Sequence, residues 1–175
     1  MKKYILTTTA LLIVMIGAVY FVINKGNLLG TTRATSHVTV NKTEEASAKT
    51  EMKKEFETST PKGKMPDYEN MSDNQLIQEV HGMTHQKVKA EQKWGSSQIT
   101  KDKVLKLYDV VKNKDFKDQN AKDMLLEILK PWTQGDFSNA VSAHNMIWEY
   151  QKGTIGKATR LLTASEEKDY IKHNF

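Results

Sequence analysis

Cysteine is absent from the 175 residues, and that absence removes several functions at once. It leaves no disulfide framework, no Cys-ligated zinc, no iron–sulfur cluster and no thiol nucleophile. A lipid-modified cysteine behind the N-terminal apolar run is excluded as well. Arginine is scarce where nucleic acid would need it. Arg160 is the one arginine after residue 70, and bidentate recognition of phosphates and base edges favours arginine. Concentrated charge is missing too. Residues 1–70 carry 10 Lys+Arg and 7 Asp+Glu, and residues 71–175 carry 16 and 14. Lysine alternates with acid, as in Lys101-Asp102-Lys103. Phosphate neutralisation needs local positive density, so these charges read as a solvated face and nucleic acid is not an expected partner.

Charge is also lacking from Tyr4 to Asn24. At 1.5 Å per residue, a helix of about twenty residues crosses the ~30 Å hydrocarbon layer of a bilayer. A cleaved signal peptide has an apolar region of ~7–15 residues and a small-residue cleavage site. Here the run is longer and leads into Asn24-Lys25-Gly26-Asn27. Residues 1–24 are therefore read as an uncleaved signal-anchor helix. Lys2, Lys3 and the amino terminus favour keeping that end cytoplasmic, although Lys25 and Arg33 weaken the asymmetry. The expected location is the cell membrane, single-pass, with the N-terminus cytoplasmic and the C-terminal domain extracytoplasmic. Residues 25–70, rich in Thr, Ser, Lys and Glu, show no sustained period and are expected to be a flexible linker. Within it, Glu44–Phe56 has good helix formers but little to pack against.

From Met71 the pattern turns helical. Ser72 with Gln75 forms a capping box, and Met71 with Leu76 a hydrophobic staple. The first helix is expected to run through Leu76, Ile77, Val80, Met83 and Val88 to a stop at Gly95, just past Trp94. A second starts at the Thr100 cap and carries Val104, Leu107, Tyr108 and Val111. A third follows Asn120, groups Met124, Leu125, Ile128 and Leu129, and is expected to end at Pro131. A fourth is expected from Asp136 to before Gly153, with Phe137, Ala140, Val141, His144, Ile147 and Trp148 on one side. A last cap at Ser165 opens a short helix with Tyr170 and Ile171. With no convincing alternation of period two, residues 71–175 are expected to form an all-α domain, a small bundle of four to five helices.

Chemical motifs are few. His81 and His85 stand one helical turn apart, a spacing that can chelate a metal. The zinc-protease helix requires Glu after the first His, and Gly82 occupies that position. The pair is read as partly exposed structural histidines, with a metal site as the alternative and His144 or Glu91 as the third ligand it would need. His144 falls on the fourth helix's apolar stripe, where a buried ring must hydrogen-bond. It is read as a core histidine on a carbonyl or hydroxyl. The sharper alternative is a ligand pocket of His144, Trp148 and Trp132. Trp94, Trp132 and Trp148 are read first as core or cap residues. The segment Gly153-Thr-Ile-Gly-Lys157 fails as a phosphate loop, because Gln151 holds the first glycine position and Ala158 the Ser/Thr position. Glu166-Glu167 sits in a first turn, where acids favour the helix dipole. Without a catalytic motif, no enzyme activity, catalytic residue or cofactor is expected.

The segments Met83-Thr-His-Gln-Lys-Val88, Gly135-Asp-Phe137, His144-Asn-x-Ile-Trp148, Gly153-Thr-Ile-Gly-Lys-Ala158 and Tyr170-Ile171…Phe175 resemble a family of uncharacterised, membrane-anchored proteins from Gram-positive bacilli. The resemblance covers about residues 70–175. It implies a bacterial envelope setting and brings no activity, ligand or catalytic residue. The resulting expectation is a membrane-anchored extracytoplasmic helical domain that acts as a binding or interaction module on a protein or envelope partner. The alternatives are a metal-assisted hydrolase using His81, His85 or His144, and a cleaved, secreted inhibitory or protective factor.

Overall fold

The computed structural model describes residues 50–175. The expected membrane anchor and the linker up to residue 49 lie outside the described residues. Among the described residues, no helix is long and apolar enough to cross a membrane.

The described chain is mainly helical. Helix α1 covers residues 50–58. A single 3-10 turn, Tyr68–Asn70, precedes α2 (Asp73–Thr84). Then come strand β1 (Val88–Ala90), α3 (Lys101–Asn113), α4 (Gln119–Trp132), α5 (Ala140–Tyr150), β2 (Ala158–Leu161) and α6 (Ala164–Asn174). The two strands pair antiparallel, Val88 opposite Leu161 and Ala90 opposite Ala158, with an irregularity between Lys89 and Ala90. Among the described residues the fold is thus mainly helical, in line with the expected all-α class, with one small two-stranded ribbon added.

Local chemistry explains the element starts. The Ser72 hydroxyl accepts from the Gln75 amide, and the Gln75 carboxamide accepts from the Ser72 amide at 2.8 Å, the expected reciprocal cap. Thr100 caps α3 on the Lys103 amide. At the C-terminal helix the cap is Thr163 rather than Ser165, completed by Glu166, which Arg160 grips with both guanidinium arms. Helix α5 begins at Ala140 instead of Asp136, because the Asp136 carboxylate turns back onto the Ser138 amide and holds those residues in a turn. Helix α4 runs past Pro131 to Trp132. Proline at that point lacks only one amide, and Thr133 continues the winding by donating to the Leu129 carbonyl.

The largest departure follows Thr84. The helix expected to reach Trp94 stops there, and Val88 lies fully buried in a strand. The Thr84 hydroxyl bonds back to the His81 carbonyl at 2.6 Å, and the Gln86 and Lys87 amides close a turn on Met83 and Thr84. The Gln86 and Lys87 side chains reach into the core to Glu167 of α6. That tertiary contact, 80 residues away in sequence, overrides the local helical pattern.

The core also extends N-terminally of Met71. Phe56 packs edge-on against Phe137, with ring centres 5.2 Å apart. Tyr68 is fully buried with its hydroxyl donating to Glu79. Lys168 of α6 pairs with Glu51 and Glu55, tying α1 to the last helix.

Candidate metal centre

The end of α2 presents His81 in its last turn and His85 at its C-cap. Helix α5 packs across α2 and brings His144 to the same place. The three rings converge. Their centres are 4.6 Å apart for His81 and His144, 4.9 Å for His81 and His85, and 5.3 Å for His85 and His144. One ring nitrogen of each lies within 4.8 Å of one from each of the others. Three imidazoles on a tetrahedral zinc with bonds of about 2.0–2.1 Å have ring centres about 5.2 Å apart. The rings therefore stand at ligand spacing already, and drawing the nitrogens together asks for side-chain torsions.

Each ring is held by one nitrogen on an oxygen. His85 Nδ1 donates to the Gly95 carbonyl at 2.8 Å, His144 Nε2 to the Gly156 carbonyl at 3.0 Å, and His81 Nδ1 to the Gln151 amide oxygen at 2.9 Å. Carbonyl oxygens only accept, so those nitrogens carry the protons and the opposite ones, in neutral rings, carry lone pairs. Those are His81 Nε2, His85 Nε2 and His144 Nδ1. His81 Nε2 is buried with no hydrogen-bond partner. The Thr84 hydroxyl lies 2.9 Å from His144 Nδ1 but also 2.6 Å from the His81 carbonyl, so one proton faces two acceptors. Metal-binding histidines commonly show this pattern, one nitrogen free and the other N–H fixed on an oxygen.

Two glycines place two of those oxygens, the Gly156 and Gly95 carbonyls. Gly156 has φ +90, and a Cβ there would come within 2.6 Å of the Gln92 carbonyl, so a side chain would be both strained and crowded. The Cβ missing from Gly82 would meet Ser97 at 3.0 Å. The glycine standing where a protease helix needs Glu thus lets the 95–97 loop reach α2 and set the Gly95 carbonyl on His85.

The sequence profile of a family of unknown function, DUF6241, matches residues 80–172. The chain belongs to this family. No curated protein and no solved structure matches it. The DUF6241 segment contains all three histidines and the oxygens that orient them, and it begins after α1 and Tyr68.

Within the DUF6241 segment the rings are largely buried, and no Asp or Glu joins the cluster. Burial pushes His85 and His144 down to about 4, and His81 also below its usual value. The charged neighbour is Lys93, whose ammonium donates to the His85 carbonyl. The rings are therefore neutral at pH 7, the protonation state that binds metal. A consequence for stability follows. Unfolded histidine titrates near 6.5, so between 6.5 and 4 the unfolded chain binds more protons than the folded one. The stability present above pH 6.5 should fall as the pH drops toward 4, by about 2–3 kcal/mol per fully buried ring near pH 4.5. Urea midpoints of the metal-free chain at pH 7.5 and 4.5 check this, and equal midpoints would contradict it.

Of the residues singled out in the sequence, His81, His85, His144 and Trp148 line one cleft. Trp132 does not; it is fully buried, with its indole donating to Asn139 and its ring on Phe137. His85, expected near solvent, is 2 % exposed. His144 is the buried ring expected, bonded to both a carbonyl and a hydroxyl. Glu91 is not part of the cluster. No spacing in the sequence marks Thr84, Gly95, Gln151 and Gly156 as supports of these rings. Only the two glycines left a local trace.

Proposed function

We propose that this domain is a binding module for a divalent transition-metal ion, held by His81, His85 and His144. The observation that carries the reading is the set of three oriented imidazoles with His81 Nε2 buried and unpartnered among them. A buried polar atom without a partner is costly, and a cation shared with His85 and His144, the latter now against the Thr84 hydroxyl, would satisfy His81 Nε2. Imidazole donors suit zinc, copper and nickel, whereas calcium and magnesium take oxygen ligands. Zinc is the preferred ion, with copper(II) and nickel(II) as competitors. The run from Tyr4 to Asn24 supports a membrane-tethered module facing the outside of the cell, where it would take up or retain metal at the envelope.

The test is zinc titration of the purified, chelator-stripped full chain, followed by calorimetry and melting temperature. One zinc per chain and a rise in melting temperature are expected, because a ligand of the native state stabilises it by mass action. His81→Ala removes a partly exposed ring and should keep the fold while abolishing the rise. Unchanged melting with zinc, or an equal rise in His81→Ala, would overturn the reading.

A further inference from the structure

The histidine cluster opens onto a cleft of about 250 Å³. Besides the three rings, its walls include Gln78, Gln92, Trp94, Trp148 and Gln151. Among the described residues, no Asp, Glu or further His joins the three rings, and the chain has no cysteine. The Gln151 amide oxygen is engaged by His81 Nδ1. The protein thus offers a metal three neutral nitrogens, whereas zinc completes four positions, the fourth being open to water or substrate in non-structural sites. Three neutral donors leave the ion's double charge uncompensated, and Lys93 beside His85 adds charge of the same sign. Lys157, over the Trp148 ring, is itself paired with Glu149.

We infer that the fourth position of this centre faces the cleft and takes a small anion, between the indoles of Trp94 and Trp148. The inference rests on the metal-binding reading above. The cleft sets the size. At about 30 Å³ for each water-sized volume it holds about eight waters, enough for a carboxylate or similar small anion at the metal. Trp94 is 71 % exposed, which places an unusually large apolar surface at the mouth. An exposed tryptophan there covers the apolar part of a bound ligand while the charged end meets the metal.

Cobalt(II) reports both coordination and ligand exchange in its visible spectrum. The full chain loaded with cobalt(II) and titrated with sodium azide should show a shift of the visible bands that saturates at one azide per cobalt, and acetate should compete with it. Cobalt that binds with a spectrum unmoved by saturating azide would overturn the open position and leave the metal centre standing. Failure of cobalt and zinc to bind at all would overturn both.

Discussion

Truncation of Glu167 to alanine is expected to cost the fold about 3–5 kcal/mol, the range for removing one member of a buried ion pair. Glu167 is 4 % exposed. One of its oxygens accepts the Lys87 ammonium at 2.5 Å and the Gln86 amide at 3.0 Å. The same Lys87 ammonium lies 4.3 Å from the centre of the Phe137 ring, and the Gln86 amide oxygen accepts from the Ile99 amide. Removing the carboxylate strands a buried cation on an aromatic face and leaves the Gln86 donor without its acceptor. Glu167→Gln keeps the shape and the Gln86 contact but still leaves Lys87 uncompensated, so its cost should be large and somewhat smaller. Replacing both charges, Lys87→Met with Glu167→Leu, should recover much of the loss, since an apolar pair of similar volume avoids the desolvation cost. Urea midpoints of the three variants check the order. A Glu167→Ala midpoint within error of the parent would refute it.

His144→Ala should be the next most damaging change, at about 2–4 kcal/mol from lost packing and an orphaned partner. The ring is 1 % exposed, and its loss leaves the Gly156 carbonyl without its donor. His85→Ala should also cost measurable stability, because that ring is buried on the Gly95 carbonyl. His81→Ala should cost least, as the ring is only partly buried. The ranking His144, His85, His81, measured by denaturant without metal, separates packing from ligation. Added zinc should raise the midpoint of the parent and leave those of all three variants unmoved. A His81→Ala variant less stable than His144→Ala would contradict the ranking.

Much of the helical framework was legible because it is local. Ser72, Thr100 and the periodic Leu76–Val80 and Leu125–Leu129 groups fix starts and buried faces within a few residues of themselves. The break after Thr84 was not legible, because its cause is the reach of Gln86 and Lys87 to Glu167. Three-residue β1 is also too short for alternation to register. The i, i+4 spacing of His81 and His85 was visible. Their convergence with His144 depends on the crossing of α2 and α5, which no spacing encodes. Phe56 and Tyr68 were assigned to a linker because each is a single apolar residue among polar ones, and only their partners Phe137 and Glu79 show them to be core.

The pairing of Val88 with Leu161 joins points more than seventy residues apart, and it carries a kinetic consequence. Helices α2 to α5 can wind from local contacts, but closing so long a loop costs entropy before the ribbon repays it, by about 4 kcal/mol on the logarithmic scaling of loop closure. His81 and His85 precede that loop, His144 lies inside it, and the Gly156 carbonyl that fixes His144 sits at its far end. A chain with its helices formed and its ribbon open therefore has the histidines without the carbonyl that fixes His144. Under the proposed metal-binding reading, metal capture would report closure of the ribbon, and a chain with its ribbon open would hold the ion more weakly while keeping its helices.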